Sequence, residues 1–116
     1  MPLMQSNIKQ YAIVFRTGEI LTGVAPINPK RILLLIQNRS HVPFYVKFDD
    51  PIQAANSIIR WGDGTELEIQ PNDYIKFENP DSCPKGRISL HQFVNVTNFG
   101  PSPDKVTAMI LEGSLV

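Results

Sequence analysis

Ten prolines run almost end to end through this 116-residue chain, and they constrain its fold more than any other feature. Proline has no amide donor and a locked φ, so it breaks helix interiors and is excluded from central strand positions. Pro26 and Pro29, Pro43, Pro51, Pro71, Pro80 and Pro84, and Pro101 and Pro103 therefore mark connections. The segments between them are rich in β-branched and aromatic residues, many in apolar–polar alternation, the period of a half-buried strand. No window holds an apolar pattern at helical spacing, and only QAANS at 53–57 offers one helical turn. The expectation is an all-β protein, an antiparallel β-sandwich or jelly-roll-like barrel of about eight short strands with almost no helix.

Strands are expected at YAIVFR (11–16), EILTG (19–23), RILLLIQN (31–38), FYVKFD (44–49), IIRW (58–61), TELEI (65–69), YIKF (74–77), GRISLHQFV (86–94) and KVTAMILEG (105–113). RILLLIQN is apolar on both alternations, as in a strand buried on two sides or central in its sheet. In FYVKFD, Phe44, Val46 and Phe48 face one way and Tyr45 and Lys47 the other. Residues 1–10 read as an N-terminal arm ahead of a single domain at 11–116. Leu3, Met4 and Ile8 would bury that arm against a neighbouring subunit, since exposed apolar side chains on a chain end suit an assembled state; the alternative is a disordered terminus or an extra edge strand on the chain's own domain.

The stretch IIRWGDGTELEI at 58–69 holds the only tryptophan. Asp63-Gly64 is a strong hairpin signal, because both residue types tolerate positive φ. An adhesion-type W-G-D-G loop would need the tryptophan further from the turn. A calcium loop would need several regularly spaced oxygen ligands, and Asp63 stands alone between glycines. A tight turn followed by a strand with one wet face is the expected structure. Trp61, at the strand end, and Phe99, in the 95–104 segment, are the next candidates for partner contact.

Residues that could carry chemistry are sparse. Cys83 is the single cysteine, so no intrachain disulfide can form, and it reads as a bystander thiol in a turn-rich stretch. His41 and His91 are the only histidines. His41 in RSHVP is expected in a surface turn and His91 on a strand's solvent face. No nucleophile elbow, phosphate-binding glycine loop or metal-ligand spacing is present. Asp49-Asp50 before Pro51 reads as a turn cap. We therefore expect no enzyme, no cofactor and no metal. Eleven basic residues balance eleven acidic ones without a Lys/Arg cluster, which argues against a nucleic-acid partner held by phosphate neutralisation. MPLMQSNIKQ shows no basic start followed by an apolar run, so no secretion signal is expected. The longest aliphatic run, ILLLI at 32–36, is too short to cross a bilayer.

RILLLIQNRSHVPFYVKFDD resembles the small β-sandwich structural proteins of tailed bacteriophages. In that family a strand of the form R-x-L-L-I-Q-N precedes a turn and a strand of the form I-Y-V-x-F-G, and the chain ends near V-x-V-x-E-G. Arg31, Leu34, Leu35, Ile36, Gln37 and Asn38 fill the first pattern, and Tyr45, Val46 and Phe48 the second. Val106 and Glu112-Gly113 echo the last. The match covers roughly residues 29–113. It departs at Asp49, where the family has glycine, and at WGDGTE, where it has a short P-G turn. The resemblance implies a virion structural component, first a head decoration (cement) protein on the major capsid protein lattice and next a tail or baseplate subunit. It also implies a homo-oligomer, dimer or trimer, assembled in the host bacterial cytoplasm. Arg31 and Gln37-Asn38 are expected to serve strand-end snorkelling and turn hydrogen bonding. The alternatives are a carbohydrate- or protein-binding β-module, with Trp61, Tyr45, Tyr74 and Phe99 as stacking residues, and a small enzyme or enzyme subunit.

Overall fold

The computed structural model describes residues 6–16, 18–49, 66–92 and 105–115. Eight strands lie within them: β1 (Ser6–Phe15), β2 (Ile20–Ala25), β3 (Arg31–Asn38), β4 (Phe44–Asp49), β5 (Leu67–Ile69), β6 (Tyr74–Phe77), β7 (Arg87–His91) and β8 (Val106–Leu115). No helix occurs among the described residues. Every described proline falls between strands, where its missing donor breaks no ladder.

The strands form two antiparallel four-stranded sheets, ordered β1-β8-β3-β6 and β2-β7-β4-β5. The first is called sheet A below and the second sheet B. The pairs β1·β8, β2·β7, β3·β6 and β4·β5 nest inside one another, as if one long hairpin had been folded over. The pairs β3·β8 and β4·β7 close the roll. This is the eight-stranded jelly-roll order.

Alternation explains what lies between the sheets. Phe15, Leu34, Ile36, Val106, Ala108 and Ile110 from sheet A meet Phe44, Val46, Ile69, Ile88 and Leu90 from sheet B, and all are buried. Two edge-to-face aromatic pairs cross the gap, Phe15–Phe44 and Phe48–Phe77, each with centroids 6.0 Å apart. Such pairs contribute about 0.5–1.5 kcal/mol beyond the area they bury.

The strand expectations at 31–38, 44–49 and 74–77 match the structure. The first does not: β1 begins at Ser6 and pairs without interruption from Ser6↔Leu115 to Phe15↔Val106. Residues 6–10 thus belong to the domain's own sheet, as the edge-strand alternative has it, and the arm boundary drawn at residue 10 is corrected. The reason is length matching, because ten-residue β8 supplies ladder partners that no local signal in SNIKQ announces. The hairpin at Asp63-Gly64 and the strand at 58–61 lie outside the described residues.

Candidate partner-docking face

The end of the sandwich near Arg31 and the outward side of sheet A carry the residues of interest, and they differ in kind. At the end, Arg31 is fully buried. A register shift between Arg31 and Leu33 turns it inward. Its Nε donates to Glu112 Oε2 at 2.7 Å. Its Nη1 donates to the carbonyls of Pro84 (2.7 Å) and Gly86 (2.9 Å), and its Nη2 to that of Pro26 (3.0 Å). The strand-end snorkelling expected of Arg31 is thereby corrected. The planar guanidinium fork bonds one carboxylate of sheet A and three carbonyls from the segments flanking β2 and β7, tying the two sheets together. Tyr11 donates its hydroxyl to the other Glu112 oxygen at 3.4 Å. Burial, then the Glu112 charge, pushes the Tyr11 phenol above its ordinary pKa. These partners spend the guanidinium on structure.

Asn38 performs the turn role expected of it. Its Nδ2 donates to the carbonyls of Val42 (2.8 Å) and Ile69 (2.9 Å), and its Oδ1 accepts from the Ser40 amide at 2.8 Å. That cluster fixes the β3–β4 turn and so the register in which sheet A hands over to sheet B.

The outward side of sheet A is the candidate site. Cross-strand register arranges it in rows: Ile8–Gly113–Leu33, Gln10–Leu111–Leu35–Lys76, Ala12–Met109–Gln37–Tyr74, and Val14–Thr107. Ile8 is 64%, Val14 59% and Tyr74 55% exposed. Leu33, Leu35, Met109 and Leu111 are half-buried among these neighbours. Gly113 leaves room for Leu33 to lie across β8, since a Cβ there would stand 3.0 Å from that of Leu33. Gln10 donates to the Met109 sulfur at 3.2 Å. Charge appears at the margin. Lys76, on edge strand β6, pairs with Glu78 at 2.9 Å, and Arg39, past the end of β3, bonds Gln37 at 3.0 Å. Exposed apolar side chains gathered on one sheet face make it the candidate interaction surface, because isolated soluble domains rarely leave a large apolar patch open to water.

The outward side of sheet B is different. Its central row runs Ile20–His91–Tyr45–Glu68. Tyr45 donates to Glu68 at 2.5 Å, and that bond, followed by burial, holds its phenol up at about 12. His91 is only 8% exposed, which corrects its expected place on a solvent face. It does point away from the core, as alternation requires, but it sits on a central strand beside buried Ser89 and Lys47. Burial lowers its pKa. His41 is exposed in its turn, as expected. Cys83 is buried, and burial raises its thiol pKa away from the reactive range. Among the described residues no three His, Cys, Asp or Glu side chains gather as metal ligands would.

Of the residues singled out from sequence for partner contact, Ile8 lies on the apolar face, within β1. Leu3, Met4, Trp61 and Phe99 lie outside the described residues. Val14, Leu33, Leu35, Met109 and Leu111 escaped the sequence reading. For Leu33 and Leu35 the signal was present, since RILLLIQN is apolar on both alternations, which fits a strand buried on two sides or central in its sheet. β3 is indeed central in its sheet, yet its second apolar side faces outward. Compared with known protein families, curated proteins and solved structures, the chain gives no match.

Proposed function

We propose that this chain is a non-enzymatic structural subunit of a tailed-bacteriophage virion, a head decoration protein that seats on the major capsid protein lattice. The observation that carries the reading is the largely apolar outer face of sheet A, with charge only at its margin, on a two-sheet scaffold. A decoration protein needs such a face, which can lie against a repeating surface. The jelly-roll order supports the reading only as architecture, because that fold also hosts lectins and enzymes. A tail or baseplate subunit would use the same face. The carbohydrate-binding alternative is weakened by placement. Tyr45 and Tyr74 project from opposite sheets and cannot stack on one sugar chain.

The test uses phage particles lacking this protein. Purified wild-type chain is expected to co-sediment with isolated heads, and a Leu35→Lys/Met109→Lys variant, folded by circular dichroism, to stay in the supernatant. Co-sedimentation with tails alone would move the site of assembly. No association with either, or association that ignores the two lysines, would remove the proposal.

A further inference from the structure

The outer edge of β1 points to the contact between copies. Among the described residues this ten-residue strand has one neighbour, β8, and ends sheet A. Alternate residues along its other edge present backbone N–H and C=O groups with no ladder partner among the described residues, the feature that recruits another strand. No proline interrupts it, and Lys9 is its one charge.

We infer that two copies of this chain pair antiparallel through β1, joining two sheets A into one eight-stranded sheet. Such a pair has its two-fold axis perpendicular to the sheet, so both apolar faces end on the same side. The side chains select the register. With Tyr11 opposite its symmetry mate, Ile8 meets Val14 of the second copy twice, and Gln10 meets Ala12 twice. Ile8 and Val14 are the two most exposed large apolar residues of the described chain, and β-branched cross-strand pairs are favourable. The same register sets Lys9 opposite Ile13, so like charges do not face each other.

Area gives an independent reason. Strands of ten, ten, eight and four residues make a footprint of about 500 Å² at ~4.8 Å spacing and ~3.4 Å rise. A stable specific interface takes about 800 Å² from each partner, so one copy falls short and the joined sheet does not. The pairing deepens the docking reading above, yet it is tested on the free protein, so either can fail without the other.

Sedimentation equilibrium is expected to give the wild type about twice its 13.0 kDa chain mass. Ile8→Lys/Val14→Lys sets lysine opposite lysine at both pairs and is expected to halve that mass. Ile8→Lys/Val14→Glu sets lysine opposite glutamate and is expected to restore it. Met109→Lys, inside the face and away from the edge, is expected to leave the dimer intact. Gln10→Lys/Ala12→Lys asks the same question at the inner pairs if the first variant does not fold. A monomeric wild type overturns the inference. So does a dimer that survives lysine at both pairs, is not restored by the charge-matched variant, or is lost in Met109→Lys, which would indicate two faces stacked on each other.

Discussion

The Arg31–Glu112 pair and the outer face of sheet A invert the usual arrangement: charge is inside and apolar surface outside. Both rest on the same two strands, β3 and β8, seen from opposite sides. Inside, every group of the Arg31 fork has a protein partner, so a charge fully removed from water remains satisfied. Outside, Ile8, Val14 and Tyr74 meet water in the free chain. The inner feature is complete within one chain and concerns stability. The outer one is incomplete and concerns association. Substitutions should therefore separate cleanly between unfolding and binding.

The largest expected effect is at the buried pair. Glu112→Ala strands the Arg31 guanidinium and is expected to cost about 3–5 kcal/mol, read from urea unfolding. Arg31→Met combined with Glu112→Leu should recover only part of this. An apolar pair removes the charge, but the carbonyls of Pro84, Gly86 and Pro26 lose their donor, at about 1–3 kcal/mol for each group left buried. Full recovery would mean that the fork's carbonyl bonds contribute nothing.

Next comes Gly113→Ala, which places a methyl 3.0 Å from Leu33 Cβ. The expected loss is about 1–3 kcal/mol from overpacking between two central strands, measured as a fall in denaturant midpoint with unchanged m-value. An unchanged midpoint would show that Leu33 can yield, and that the face is softer than a packed layer.

A smaller effect tests sheet B. Tyr45 titrates at about 12 in the folded chain because its hydroxyl is held by Glu68. A folded pKa raised above the unfolded value near 10 means the protonated phenol favours the native state. That contribution is complete below about pH 10 and is lost as pH rises through 12. Ultraviolet titration should show Tyr45 ionising late, and Glu68→Gln should bring it back toward 10.

The smallest effect on stability is expected at the apolar face. Met109→Lys, which leaves the strand edge untouched, should change unfolding free energy by no more than about 0.5 kcal/mol, since Met109 is half-buried at an outward position. A loss above 2 kcal/mol would show that the outer face of sheet A is a second core layer, and the contrast with the Arg31 pair would collapse.

The order of the described strands, and the limits of those at 31–38, 44–49 and 74–77, were legible in the sequence because the signals are local. Proline removes a donor where it stands, and FYVKFD sorts Phe44, Val46 and Phe48 from Tyr45 and Lys47 by period two alone, as the structure has it. The candidate face was only half legible. A strand apolar on both alternations, such as RILLLIQN, has two faces that period two cannot rank, and only the sheet partners decide which is inside. Arg31, His91 and the start of β1 went the same way. Arg31 is buried because carbonyls from segments more than fifty residues away converge on it. His91 is buried on the outward side of a central strand of sheet B, beside Ser89 and Lys47. Ser6–Gln10 is a strand because β8, about a hundred residues on, supplies the ladder. Those three outcomes depend on the nested pairing of distant strands, which no local pattern encodes.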